Sequence, residues 1–332
     1  MVSTAKIVNQ DNPKKVKVGT IFLCFIFGVV SILFNDDDLS KKAVPQNEID
    51  LGKLLFFDTA LSKDQSISCA SCHNPKFAFA DSIAFSKGIN ETIGIRNTPS
   101  IMNMAFRPYF FYDGRAATLQ EQILIPIENP IEMHLPYAEA VKRISDKKDY
   151  QTYFKSIYNT PPDSTNILNA ITAFIQSLES NGSAPHDVWV HGDETILTES
   201  QKRGHTIFTE KGKCFDCHFG PDFTGDEFRN IGLYDEQEFN DKGRFEITKD
   251  SSDLGKFKVP GLRNITLTAP YMHNGMFQTL EEVIEYYDNP YETVKNPINI
   301  DTLLLEPLHL TEQEKTDLLN FMQSFTDTTF PF

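Results

Sequence analysis

The chain has 332 residues, with 46 acidic against 31 basic side chains and a formal charge of −15 at pH 7. That length accommodates two compact domains, and 40% hydrophobic with 12% aromatic residues can supply a core for each, which excludes a disordered chain. The acidic balance excludes nucleic acid as a partner, since nothing here would neutralise phosphate, and leaves room for a basic or neutral protein partner. The 27 Phe against one Trp read first as core-filling residues.

In chain order, the first element is an export segment over residues 1–35. Lys14, Lys15 and Lys17 precede an almost purely apolar run from Val18 to Phe34, and Asp36, Asp37 and Asp38 follow. The basic flank stays in the cytoplasm and the remainder is exported, so the expected location is the periplasm, with membrane contact only through this segment. The run is short for a bilayer span and no small-x-small cleavage signal follows it, which favours an uncleaved anchor over a cleaved signal peptide. A buried globular helix is the other reading. Cys24 lies inside the run without the small residues of a lipoprotein signal and reads as incidental.

The four remaining cysteines fall in two copies of one pattern, Cys69-Ala70-Ser71-Cys72-His73 and Cys214-Phe215-Asp216-Cys217-His218. C-x-x-C-H is the attachment signature of haem c: two thiols form thioethers to the vinyl groups, and the adjacent His turns back to ligate iron. A Cys₄ zinc site and disulfides compete for the same residues. Neither requires a His after each pair, and zinc ribbons hold their pairs far closer than Cys72 and Cys217 stand. The expected cofactors are therefore two haem c, one in a domain spanning 45–178 and one in a domain spanning 179–332.

Between the two sites, Ile167, Leu168, Ile171, Phe174, Ile175 and Leu178 predict an amphipathic helix that closes the first domain and ends near Asn181-Gly182. Thr198 with Gln201, and Thr311 with Glu314, predict capping boxes, one opening a helix into the second site and one a C-terminal helix carrying Leu318, Leu319, Met322 and Phe325. Strand periodicity is weak and the intervening stretches are rich in Gly, Pro, Asn and Asp. The fold class is mainly α, with two cytochrome-c-like domains and long loops around the cofactors.

Several segments in fixed order resemble the bacterial dihaem cytochrome c peroxidase family, which includes the MauG-type enzymes. They are Leu51-Gly52-Lys53-Leu54-Leu55-Phe56-Phe57-Asp58, Arg96-Asn97-Thr98-Pro99-Ser100, Phe111-Tyr112-Asp113-Gly114-Arg115, Glu121-Gln122, Asn129-Pro130-Ile131-Glu132-Met133, Phe257 to Asn264, and Thr268 to Gly275, besides the two attachment sites. The resemblance implies that the first haem, on His73, reacts with hydrogen peroxide and that the second, on His218, transfers electrons. Many members place a displaceable distal His in the loop after the first attachment site, but no His occurs here between Asn74 and Met133. The expectation is an open first iron, with His134 the nearest residue that could contradict it and otherwise a surface or packing residue.

The resemblance further implies that Glu132 and Gln122 form the distal polar pair, Glu132 moving protons and Gln122 orienting peroxide. It implies that Tyr287 is the sixth ligand of the second iron, where many peroxidases have Met; otherwise Tyr287 packs by its ring and Met272 or Met276 ligates, or nothing does. Tyr112 stands where the family commonly has an inter-haem Trp. Asn97, Thr268 and Pro270 match the positions that hold a calcium ion between the domains. The expected activity is reduction of hydrogen peroxide with electrons from a small c-type cytochrome or copper protein. Two rivals are a MauG-like oxidation of residues of a protein substrate and a non-enzymatic dihaem electron carrier. The oligomeric state stays open, a homodimer included. The sole Trp, Trp189, has no evident role in this reading.

Overall fold

The computed structural model describes residues 44–329, so the segment over 1–35 that the sequence predicts to direct export lies outside the described residues. Two helix pairs carry the architecture. Helix α1 (Glu48–Phe57) starts at Asn47, whose side chain accepts the Asp50 N–H at 2.9 Å, and lies against α6 (Ser164–Gln176). Helix α8 (Glu199–Thr209) lies in the same way against α11 (Glu312–Gln323). Each crossing is close because a glycine stands at it. A Cβ on Gly52 would collide with the Ala170 carbonyl oxygen, and one on Gly204 with the Asp317 carbonyl oxygen. Only hydrogen fits there, and the partner helix then sets a Phe beside the glycine, Phe174 in one pair and Phe321 in the other.

The many phenylalanines fill the two cores that these crossings create. In the first, Phe56 meets Phe174 edge-on at 5.1 Å, and Phe79 closes on Phe174 at 6.3 Å. In the second, Phe321 meets Phe325 at 4.9 Å and Phe208 at 5.5 Å, while Phe223 stacks on Phe325 at 3.9 Å. Such edge-to-face pairs add to the hydrophobic gain of burial. One core runs from Leu51 to Leu178 and the other from Ile207 to Phe325.

Four further helices fill out the first half: α2 (Cys69–Cys72), α3 (Leu119–Glu128), α4 (Tyr137–Ser145) and α5 (Lys148–Tyr158). The second half adds α7 (Pro185–Val190), α9 (Phe245–Thr248) and α10 (Leu280–Asp288). Among the described residues the only paired strands are β1 (Phe228–Arg229) and β2 (Phe257–Lys258), antiparallel. The protein is mostly helical, as the sequence predicts. Both predicted capping boxes form, Thr198 with Gln201 and Thr311 with Glu314. Helix α6 ends earlier than predicted, at Gln176, because Ser177 turns its hydroxyl back onto the Phe174 carbonyl at 2.6 Å; Leu178 is buried beyond the helix end.

The halves are joined by partly buried polar contacts. Arg96 donates to Asp241 at 2.7 and 2.8 Å and to Asp113 at 2.6 Å. Arg107 bridges to Asp222 at 2.6 Å and Asp226 at 2.9 Å. Backbone bonds run alongside, Lys258 N–H to the Tyr112 carbonyl and Asn97 N–H to the His273 carbonyl, both at 2.7 Å.

Gly204→Ala should cost about 1–3 kcal/mol, because the Asp317 backbone cannot give way without moving α11. The check is the denaturant midpoint of the holoprotein; an unchanged midpoint would mean that the crossing has slack.

Candidate functional site: two attachment turns on one cavity

The two C-x-x-C-H segments fold as tight turns of different pitch, one α-helical turn at Cys69–Cys72 and a 3₁₀ turn at Cys214–Asp216. In both, the His N–H donates to the carbonyl of the first cysteine, His73 to Cys69 at 2.9 Å and His218 to Cys214 at 2.8 Å. The turn brings two thiols and an imidazole together. His73 Nδ1 then lies 2.9 Å from the Phe79 carbonyl, and His218 Nδ1 lies 2.9 Å from the Phe223 carbonyl. A carbonyl can only accept, so each Nδ1 carries the proton and each Nε2 keeps its lone pair. Burial holds both imidazoles below their ordinary pKa, against smaller opposing contributions from Phe79 and Pro99 at His73, and from Phe223 and Pro260 at His218. At neutral pH both are uncharged bases.

Burial pushes the Cys69 and Cys214 thiols up to about 12, and those of Cys72 and Cys217 up to about 11. All four are unpaired. Zinc binding needs thiolates gathered in one shell. Among the described residues no three His, Cys, Asp or Glu side chains are so gathered. Haem c needs two thiols that can add across its vinyl groups and, beside them, an imidazole with a free lone pair for its iron, and each turn presents that set. The donor chemistry therefore fits haem c at both places.

Both turns open on one continuous cavity of about 760 Å³, lined mainly by apolar atoms. On the His73 side it is walled by α3 and the loop after it. A Thr118–Glu121 capping box opens α3 and so aims Gln122 at the cavity. Pro126, inside the same helix, also lines it; lacking an N–H, it leaves the Gln122 carbonyl without its helical partner. Glu132 completes this wall. Its carboxylate accepts from Asn129 Nδ2 at 2.7 Å, and burial raises its pKa against the pull of that hydrogen bond and of Arg115. Its charge in turn raises the Cys72 thiol, which places it beside the first attachment turn. Arg115 is itself fixed by Asp113, at 2.9 Å, and by the Phe111 ring, 3.5 Å below it. His134 is not among the cavity residues.

On the His218 side, α10 carries Tyr287 into the cavity wall. Burial raises the phenol, and the Cys217 and Cys214 charges add to that, which places the ring beside the second attachment turn. Its neighbour Tyr286 instead donates to the Ile231 carbonyl at 2.7 Å. Met272 lines the cavity too, whereas the Met276 sulfur sits against Asn274 Nδ2 at 3.6 Å. Tyr112 lies on the wall with Arg96, Phe257 and His273; burial raises its phenol while Arg96 lowers it. His273 is 6% exposed, stacks on Phe257 at 3.7 Å, and is held down to about 4 by burial. Asn97, Thr268 and Pro270 also reach the wall. Trp189 stands apart from the cavity, at the end of α7.

One relation escaped the reading of the sequence: the segment from Phe110 to Gln122 repeats as Tyr271 to Val283. Both contain a bridge across the turn, Phe110 with Ala116 and Tyr271 with Phe277, and both run through a left-handed residue, Phe111 and Met272. Both then start a helix on a Thr-Leu-x-Glu box, at Thr118 and at Thr279. In that register Tyr112 matches His273 and Tyr287 matches Pro126. The second site thus has a phenol where the first has a ring with no ligating atom. The paired Thr-Leu-Gln-Glu and Thr-Leu-Glu-Glu strings were the available signal.

The comparisons agree with this geometry. The family model for di-haem cytochrome c peroxidase matches residues 46–195. The chain is 34% identical over 281 residues to the methylamine utilization protein MauG of Methylorubrum extorquens, covering 83% of this chain and 77% of that one. It is 37% identical over 250 residues to the cytochrome c551 peroxidase of Nitrosomonas europaea, covering 74% of each. Among solved structures it superposes on a MauG-like protein associated with microbial copper homeostasis with a TM-score of 0.77 and 32% identity, over 87% of this chain and 91% of that one. With two haem-attachment turns on one cavity and this degree of relatedness, the chain belongs to the di-haem cytochrome c peroxidase family and is a haem-dependent oxidoreductase.

Proposed function

We propose that the protein reduces hydrogen peroxide to water at a haem held by Cys69, Cys72 and His73, with electrons drawn through a haem held by Cys214, Cys217 and His218. The observation that carries this is Glu132, a carboxyl raised by burial and held by Asn129 at the cavity wall beside Cys72. A haem held by Cys69, Cys72 and His73 would supply the iron at which peroxide binds and receives electrons. Reduction of one peroxide takes two electrons and two protons and gives two waters. Glu132 takes the proton from the oxygen that binds and returns it to the oxygen that leaves, a task suited to a carboxyl whose pKa has moved toward neutrality. Gln122, on the same wall, orients the peroxide. Pro126, on the same wall, offers no ligand atom to a haem that His73 would hold.

At the second site Tyr287 is the residue that would also hold the haem iron, opposite in role to Pro126 at the first. A phenolate stabilises oxidised iron, so this haem would hold electrons less readily than a Met-ligated one. That feature also favours a second reading, in which the oxidising equivalents act on residues of a protein substrate. Calcium is proposed between the halves at Asn97, Thr268 and Pro270. Asn97 spends its amide nitrogen on the Ile83 and Ala84 carbonyls at 3.1 and 3.3 Å, which leaves Oδ1 for a hard cation. A small c-type cytochrome or copper protein is the proposed donor. Periplasmic location and an N-terminal tether are proposed from Lys14, Lys15, Lys17 and the apolar run that follows them.

Glu132→Gln should lower the peroxide-reduction rate by about 10²–10⁴-fold while both haems stay attached. In the unmutated protein a raised carboxyl must lose its proton to act as base, so the rate should fall as pH drops through a midpoint above the ordinary carboxyl value. That limb should vanish in Glu132→Gln; a variant with normal turnover would remove Glu132 from the mechanism. Tyr287→Met should raise the reduction potential of the second haem in a spectroelectrochemical titration, and an unmoved potential would mean that Tyr287 does not ligate.

A further inference from the structure

The only Trp of the chain is built into a second cluster that the peroxidase reading does not use. Trp189 lies between two histidines, its ring 6.1 Å from His186 and 5.0 Å from His205, both edge-on. Its indole Nε1–H donates at 3.1 Å to the carboxylate of Glu194, an exposed side chain. His186 is the inward link. Its ring meets Phe223 at 5.0 Å, and the Phe223 carbonyl is the group that accepts from His218 Nδ1 at 2.9 Å. A packed line of rings and one hydrogen bond therefore runs from the second attachment histidine to an indole at the surface of α7. Phe321 and Phe325 close it on the other side, at 5.8 and 5.6 Å from His186.

We infer that Trp189 is a site of one-electron oxidation wired to the second haem site through His186 and Phe223, at which the protein gives up an electron when peroxide is present and no external donor is bound. The inference rests on the peroxidase reading, since hydrogen peroxide is the oxidant. Trp189 loses one electron toward His218, and its Nε1 proton passes along the existing hydrogen bond to Glu194, leaving a neutral indolyl radical. One peroxide would take two electrons, one from Trp189 and one from the iron of a haem that His73 would hold, and with two protons from solvent would become two waters.

The surroundings suit this step. Burial holds His186 and His205 below their ordinary pKa, so neither presents a positive charge to the indole as it is oxidised. Glu194 supplies a negative charge and the proton acceptor at the one atom that must lose its proton. On the inner side Phe223 stacks on Phe325 at 3.9 Å, so the line passes through packed rings. Phenylalanine is too hard to oxidise to hold the charge itself, so the charge stops at Trp189, the most easily oxidised ring on the line.

The test uses the full-length protein carrying both haems, grown with ring-deuterated tryptophan, mixed with peroxide without donor and frozen for electron paramagnetic resonance. Because the chain has one Trp, a signal that narrows on deuteration can come only from Trp189. We expect that narrowing, loss of the signal in Trp189→Phe, a severalfold lower yield in His186→Leu, and oxygen addition at Trp189 in peptide mass maps. A line shape indifferent to deuteration, with Trp189 unmodified in the mass maps, would overturn the inference. Donor-supported peroxide turnover on the same sample separates the two readings. Turnover without an indole radical overturns only the role of Trp189, and absence of both overturns the peroxidase reading with it.

Discussion

A hydrogen bond from imidazole Nδ1 to a main-chain carbonyl fixes the state of each attachment histidine, and much of the protein is arranged to keep that bond dry. His73 reaches Phe79 and His218 reaches Phe223, each at 2.9 Å. The carbonyl decides which nitrogen is protonated, and burial keeps the ring neutral, so Nε2 is delivered as a base without competition from a proton. Phe79 and Phe223 hold their carbonyls in place because their own rings are locked in the two cores, against Phe174 and Phe325. Those cores exist because Gly52 and Gly204 let two helix pairs touch backbone to backbone. The chain of cause runs from a missing side chain to a helix crossing, from the crossing to an aromatic core, and from the core to the proton on an imidazole.

The halves repeat this plan and then diverge where the chemistry must differ. The repeated turn and capping box set α3 and α10 over their attachment sites in the same way, so a residue at a given step of each helix faces the same direction. At one step the helices carry Pro126 and Tyr287, and the turns that precede them carry Tyr112 and His273. The first pair sets a ring without a ligating atom against a phenol. The second pair flanks the contact between the halves, where Arg96 joins Asp113 to Asp241 and lies 5.5 Å from the Phe257 ring that stacks on His273. Divergence at a few steps of a duplicated scaffold gives two electronic environments without two folds.

How much of this was legible in the sequence depends on whether the signal was local. The attachment turns were, because thioether and ligand geometry force two thiols and a His into five consecutive positions. The capping boxes at Thr198 and Thr311 were too, since a cap closes within four residues. Glu132, Gln122 and Tyr287 could be placed only by resemblance, as nothing near a single Glu, Gln or Tyr says that a cavity will enclose it. The glycine crossings were invisible for the same reason: Gly52 and Ala170 are neighbours only after folding, and an isolated helical glycine otherwise reads as a weak point. The Arg96–Asp241 bridge spans the two halves, and no periodicity marks it. The early end of α6 turned on one serine hydroxyl, a choice that apolar spacing does not record.

Glu132 illustrates the cost of such a site. Burial lifts its carboxyl above the ordinary value, and one hydrogen bond from Asn129 together with the more distant Arg115 does not bring it back. A group that holds its proton more tightly in the folded than in the unfolded chain weakens the fold once pH rises past the unfolded value, because the buried carboxylate must then shed water it would keep if unfolded. Asp58 has the opposite arrangement: burial raises it, but the Ala60 N–H at 2.8 Å, with Lys147 and Tyr150 both at 2.9 Å, leaves its pKa lowered, so its ionised form stabilises the fold above the ordinary carboxyl range and that contribution fades only in acid. Two carboxyls in one domain thus carry opposite signs of linkage. The one bound on several sides secures the helix bundle, and the one left with a single neutral donor keeps a proton that can be moved.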